Sequence, residues 1–235
     1  MHPRILLLET ASRRCDVAYV EGDRCVAEKG SLNPQGFQHA ERLHVYIDEV
    51  LRQAGMRVAD LDAVALSAGP GSYTGLRIGA SAAKGLVAPH GLPLIAYSSL
   101  EALAVGARET LGNSTEPYGI WAAMDARRME VYSALFAATG ERWTADAPQL
   151  LEEAPILEGF PEGLPIYGVG DGVEKAQVGW PALRRLPLDY AQARHGTPLA
   201  LRAWEQKDFV DAAAFTPYYL KAFRAGVPRL GLPKL

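Results

Sequence analysis

"LLLETASRRCDVAYVEGDRCVAEKG" (residues 6–30) and "AAMDARRMEVYSALFAATGERWTAD" (residues 122–146) follow one plan. Each opens on an apolar, strand-like run that ends in an acid, Glu9 or Asp125. Each continues through twin arginines, Arg13-Arg14 or Arg127-Arg128, into a second strand, a glycine turn and a third strand. Further on, "AVALSAGPGS" (63–72) has a weaker echo in "PIYGVGDGVE" (165–174). A repeat of this length is a duplicated βββαβα unit rather than a solenoid period. Chance likeness between hairpins is the alternative, and the matched acid and twin arginines favour duplication. Two such units side by side predict an α/β architecture with a cleft between them.

The segments between fit this plan. "HAERLHVYIDEVLRQA" (39–54) places Leu43, Ile47, Val50, Leu51 and Ala54 at helical spacing, and Gly55 ends the run. "LDAVALS" reads as a strand, "LRIGASAAKGLVA" as a helix, "LPLIAYS" as a strand and "SLEALAVGAR" as a helix. The polar, turn-rich "LGNSTEPYG" (111–119) marks a boundary. The expected domains are therefore 1–110 and 111–235, the second ending in a return segment around "FTPYYLKAF" and a loose tail, "GVPRLGLPKL".

The chain has 235 residues, 49% hydrophobic and 22% charged, which supports a substantial core. A net charge of −3 carries no global basic footprint for nucleic acid. No run approaches a membrane span, and no signal peptide is recognised, so a cytoplasmic protein is expected. Cys15 and Cys25 flank a hairpin turn at Gly22-Asp23. That turn sets Val20 opposite Cys25 and Cys15 opposite Gly30, too far apart to bridge.

The stretch most like a ligand loop is "SAGPGSYTGLRIGASAAKG" (67–85). It lacks the Gly-Lys-Ser/Thr of a Walker loop, and its third glycine comes one residue late for a dinucleotide fingerprint. A tight strand-to-helix turn and a ligand loop both remain open on spacing alone. Among the five histidines, only His39 and His44 are close in sequence. Five residues is about 140° around a helix, so they read as surface or interface residues rather than ligands. His2 and His195 are expected in flexible segments.

Taken together, "ILLLETAS", "HAERLHVYIDEVL", "LDAVALSAGPGSYTGLRIGASAAKGL", "PLIAYSSLEALA", "MDARRMEVYSALF" and "PYYLK" resemble the TsaB/YeaZ family. The resemblance is dense over residues 4–138. It implies the actin/hexokinase/Hsp70-like fold of duplicated ribonuclease-H-like units. It also implies a non-catalytic partner of TsaD. That enzyme transfers threonylcarbamoyl to N6 of the adenosine 3′ of the anticodon in tRNAs reading ANN codons. The family's partners are a TsaD-like catalytic subunit, bound through the first two helices, and a TsaE-like ATPase. A lone chain forms a homodimer, and tRNA is met only indirectly.

The residues agree with a non-catalytic role. TsaD-like proteins carry a His-His-x-x-x-His metal run where this chain reads "YSSLEAL" (97–103). Their Gly-Gly-Val-x-x-Asn nucleotide turn is matched only by "GVGDGVEKA" (168–176), where Gly168, Gly170 and Gly172 lack the asparagine and Asp171 would repel phosphate unless a metal intervened; with Glu9 and Asp125 these glycines mark at most a weak nucleotide site in the cleft. Glu9 and Asp125 stand where kinases of this architecture hold Mg²⁺ or a base. The favoured reading is that each accepts backbone hydrogen bonds at its turn, with Arg13, Arg127 and Arg128 neutralising them. The family usually carries aspartate where this chain has Glu9. No cofactor and no metal are expected. A stand-alone ATPase or kinase using Glu9 and Asp125 is the rival, and a metallopeptidase the weaker one. The expected partner surface is an outward row of Ala40, His44 and Asp48 beside a ridge of Gly75, Gly79 and Ala83. Leu76, Ala80 and Val87 lie alongside that ridge, with Lys84.

Overall fold

The computed structural model describes residues 2–33, 36, 38–112, 114, 116–151, 163–177 and 179–220. The "PYYLK" motif is described up to Leu220, and the tail at 226–235 lies outside the described residues.

The first unit runs β1 (Arg4–Glu9), β2 (Arg14–Glu21), β3 (Arg24–Leu32), α1 (His39–Gln53), β4 (Ala63–Gly69), α2 (Tyr73–Val87), β5 (Leu94–Ser98) and α3 (Ser99–Leu111). The second runs β6 (Gly119–Asp125), β7 (Glu130–Ala137), β8 (Ala147–Leu150), β9 (Ile166–Val169), α4 (Val173–Ala176) and β10 (Arg184–Arg185). α5 (Thr197–Gln206) follows. The first sheet is ordered β3-β2-β1-β4-β5 and the second β10-β9-β6-β7-β8. Counting strands within each unit, these are one order, with a meander of three antiparallel strands and two parallel strands added on the other side of the first. This is the duplicated plan of two like units that the sequence repeat predicts. β4 with its "GPGS" loop and β9 with its "GDGV" loop occupy the same position in the two units, which explains their faint sequence echo.

Helices and sheets alternate in layers. On the outer face of the first sheet, Leu43, Ile47 and Val50 of α1 and Ala80, Ala83 and Val87 of α2 join Leu6, Leu8, Val17 and Leu66 in one core. On its inner face, Leu100 and Leu103 of α3 pack with Ile5, Leu7 and Ile95, and with Ile120, Ala122 and Phe136 of the second sheet. A third cluster, around Trp121 and Val173, covers the second sheet's far side. The chain then returns to the first unit. Val210 bridges Leu94, the Lys84 ammonium donates to Ala213 O (3.2 Å), and Tyr218 N–H donates to Ala68 O (2.7 Å). Among the described residues, no helix is long and apolar enough to cross a membrane.

Three expectations need correction. Val20 does face Cys25, but the register slips beyond it, so Cys15 stands opposite Ser31 and Asp16 opposite Gly30. Val26 is the extra residue, a β-bulge that a turn rule alone does not reveal. The slip matters, because a side chain at residue 30 would overlap the buried Asp16 carboxylate. His39 and His195 are both buried rather than exposed or in a loose segment.

The third correction concerns the glycine ridge. Gly75, Leu76, Gly79, Ala80, Ala83 and Val87 are buried against their own domain, not presented outward. A Cβ on Gly75 would overlap Thr10 O, and one on Gly79 would overlap Thr10 Oγ1. The small residues let α2 settle onto the β1–β2 turn. Gly85, on the opposite face, has nothing within 4 Å of a built Cβ. Gly75→Ala and Gly79→Ala are therefore expected to lower stability by about 1–3 kcal/mol through overpacking. Gly85→Ala should raise it by up to about 1 kcal/mol through helix propensity. Denaturant melts of the three variants check this, and equal effects at all three positions would contradict the packing.

Candidate functional site

The loop that most resembles a phosphate cradle has Ser72 and the Gly75 amide already engaged. Ser72 caps α2, its Oγ accepting from Gly75 N–H (3.2 Å), while Ser72 N–H donates to Ala11 O (2.7 Å). Gly69, at φ +120°, lies against the Tyr218 carbonyl, where any Cβ would overlap. The loop is a strand-to-helix turn that docks α2.

The second-unit glycine loop is closed in the same way. Gly170 N–H donates to Leu188 O (2.8 Å) and Gly172 N–H to Ala123 O (3.0 Å). Gly168 is strand-paired and packs beneath Val173 and Leu183. Asp171 Oδ1 accepts from Asp125 N–H at 2.8 Å. A carboxylate of the chain thus takes the place an anion would need, at a carboxyl whose pKa burial raises. Asp125 is exposed, and its Oδ1 accepts from Arg127 N–H (2.6 Å) and the Lys175 ammonium (2.5 Å). The ammonium also donates to Arg128 O at 2.6 Å. Lys175, which the sequence did not single out, supplies the side-chain ion pair at Asp125 that was expected of the twin arginines. Arg127 and Arg128 both adopt positive φ, and their turn is braced by that lysine.

Glu9 does not open on the cleft. It belongs to a polar row that crosses the inner face of the first sheet. Asp16 pairs with Glu9, the Ser67 hydroxyl donates to Glu9 Oε1 (3.0 Å), and Tyr97 pairs with Ser67. All four are buried. Ala11 N–H donates to the same Glu9 oxygen (2.7 Å), and Arg14 Nε donates to Asp16 Oδ2 (2.6 Å). Glu9 Oε2 and the Tyr97 hydroxyl have no hydrogen-bond partner among the described residues. Burial pushes the Glu9 pKa up to about 7 and that of Asp16 up to about 6, against the lowering pull of their hydrogen bonds. Burial pushes His195 the other way, to about 4. Asp16, Ser67 and Tyr97 escaped the sequence reading, although an acid at position 16 inside an apolar strand was its one available signal.

An ion-pair cluster fills the "YSSLEAL" position. The Ser98 hydroxyl donates to Asp146 Oδ2 (2.6 Å), and Glu101 receives Arg142 (3.1 Å) and Arg202 (2.7 Å). Arg142 also pairs with Asp146. The cluster ties α3 to the second unit and to α5. Among the described residues, no group of three histidine, cysteine or acidic side chains is placed to hold a metal ion.

A concavity lies elsewhere, on the outer face between α1 and α2. It encloses about 710 Å³ and is lined by Ala40 and His44 of α1 and by Tyr73, Arg77, Ile78 and Ser81 of α2, among others. Ala40, His44 and Asp48 are all exposed, and Asp48 pairs with Arg52. At one end Tyr219 stacks on Tyr73 with ring centres 4.9 Å apart, and Arg77 lies 5.2 Å from the centre of the Tyr73 ring. Aromatic and arginine side chains beside an apolar trough are the composition of a protein-binding hot spot.

The profile of TsaD, tRNA N6-adenosine threonylcarbamoyltransferase, matches residues 26–177. The chain belongs to this family. Within it, the similarity runs to the TsaB/YeaZ branch. The chain is 37% identical over 129 residues to the tRNA threonylcarbamoyladenosine biosynthesis protein TsaB of Escherichia coli, covering 55% of this chain and 53% of that protein. It is 29% identical over 229 residues to TsaB of Haemophilus influenzae, covering 92% and 93%. The solved structure of YeaZ from Pseudomonas aeruginosa superposes with a TM-score of 0.77 at 26% identity, covering 93% of this chain and all of that one. The chain thus spans about half of the E. coli relative and nearly all of the H. influenzae one.

The polar row predicts a pH effect on stability. Because the folded pKa of Glu9 lies above its ordinary 4.5, the folded state holds that proton longer, and stability falls as pH rises from about 4.5 to about 7. Glu9→Gln removes this contribution, so its stability relative to the parent chain should improve by up to about 3 kcal/mol between pH 4.5 and 8. Denaturant melts across that range check it, and a pH-independent difference would contradict the buried proton.

Proposed function

We propose that the chain is a non-catalytic accessory subunit in tRNA threonylcarbamoyladenosine biosynthesis, acting through the α1–α2 groove. The observation that carries this reading is the groove itself. The concavity is mainly apolar, edged by aromatic and arginine side chains, and built from two helices. The groups that could do chemistry are committed elsewhere. Glu9 is buried, Asp125 is paired with Lys175, and the amides of Gly75, Gly170 and Gly172 are in use. The names of the E. coli and H. influenzae relatives supply the biosynthetic context.

On this reading the groove receives a TsaD-type transferase, with Ala40, His44 and Asp48 on the α1 side and Tyr73, Arg77 and Ser81 on the α2 side. In the absence of that partner a second copy takes the same surface and forms a homodimer. A TsaE-like ATPase joins the assembled pair, tRNA is met only through the partner, and the setting is the cytoplasm.

Ser81 is exposed on the groove wall, so Ser81→Arg places a charge in the trough without disturbing the core. The variant should weaken binding to a TsaD-type transferase by about tenfold or more. Its melting temperature should match that of the parent chain. Titration calorimetry with thermal melts measures both. Unchanged affinity would sink the groove as the docking surface, and ATP turnover or tRNA modification by the isolated chain would sink the accessory role.

A further inference from the structure

The turn from β1 to β2 is where three elements meet. Its Ala11 N–H donates to Glu9 Oε1 (2.7 Å), and its Ala11 O accepts from Ser72 N–H (2.7 Å) at the head of α2. Its Ser12 O bonds Nε2 of His39 (2.9 Å) at the head of α1, so that ring nitrogen is the donor. Thr10 fills the space beneath Gly75 and Gly79. One buried carboxyl therefore holds a turn that in turn holds the first residues of both groove helices.

We propose that Glu9 is a positioning residue for the groove: its carboxyl fixes the Thr10–Ser12 turn, and gain or loss of its proton changes how firmly that turn seats α1 and α2. The inference rests on the docking role of the groove. The direction follows from the surroundings. Facing Glu9 are Asp16 and Arg14 from β2, Ser67 from β4 and Tyr97 from β5, with Cys15 adjacent on β2 and His39 of α1 on the far side of the turn; the 193–196 turn, which carries Arg194 and His195, packs on β1 and β2 and its Ala193 N–H donates to Asp16. The Arg14 guanidinium is already engaged by Asp16. Ionised Glu9 thus adds a second buried negative charge beside Asp16, and the buried Tyr97 hydroxyl brings no positive charge to offset it. Displacement of the end of β1 and its turn relieves that repulsion. The neutral form lacks it while Oε1 still accepts from Ala11 N–H, so the groove is set at lower pH and loosens as pH rises through about 7. A partner that clamps both helices also tightens the turn and favours the proton.

The test measures association of the full chain with a TsaD-type transferase from pH 6 to pH 8. The affinity of the parent chain should fall by about fivefold, the effect over this range of a proton held ten times more tightly in the bound form. Glu9→Gln, which keeps the size and the acceptor oxygen, should hold its pH 6 affinity across the range. His44→Gln, in the groove wall, should keep the parent slope whatever its affinity. In parallel, the backbone amide resonances of Ala11 and Ser72 in the isolated parent chain should titrate with a common midpoint near 7. They should stay flat in Glu9→Gln. A pH slope retained in Glu9→Gln, a slope abolished by His44→Gln, or resonances of the parent chain that do not titrate would each overturn the proposal. The amide titration needs neither a partner nor a variant. It therefore judges Glu9 even if Ser81→Arg shows that the partner docks elsewhere.

Discussion

The close approach of α2 to the β1–β2 turn is the contact on which the rest of the first unit depends. It is possible because Gly75 and Gly79 present no side chain to Thr10, and because Ala11 offers its carbonyl to Ser72. With α2 seated there, α1 settles beside it on the same face of the sheet, tied to the same turn through His39. The groove between them is a consequence of that arrangement. Ridges of small residues allow backbones to approach, and what remains on the outside is a trough with an aromatic rim.

The two acids that end β1 and β6 are both held by the chain itself. Glu9 is sealed under the sheet, and Asp125 is tied to Lys175 and to its own turn. The "YSSLEAL" stretch starts a serine-capped helix and joins a cluster of arginine–carboxylate pairs. Such partly buried pairs contribute less to net stability than to fixing one arrangement of elements. Here they join α3, α5 and the second sheet. Arg194, paired with Glu28 of β3, adds a further tie between the returning chain and the first sheet.

Much of this was legible in the sequence. The duplication of acid, twin arginine and hairpin predicted two units of one topology, and both sheets have that strand order. Leu43, Ile47, Val50 and Leu51 marked the buried face of α1, and Ala40, His44 and Asp48 its exposed one. What the sequence could not show depended on contacts between distant segments. A glycine every fourth residue is compatible with an outer ridge or an inner one, and only the position of Thr10 decides between them. Burial of His39 and His195 depends on a turn at Ser12 and on Gly106, whose missing side chain leaves room for the His195 ring. The bulge at Val26, which puts Gly30 over Asp16, has no local signature at all.

Hydrogen exchange of the chain with and without a TsaD-type transferase tests the central claim most directly. The account predicts slowed exchange over α1 (39–53) and α2 (73–87), with the cleft loops at 125–130 and 168–172 unchanged. Protection at the cleft loops with none on the two helices would contradict it.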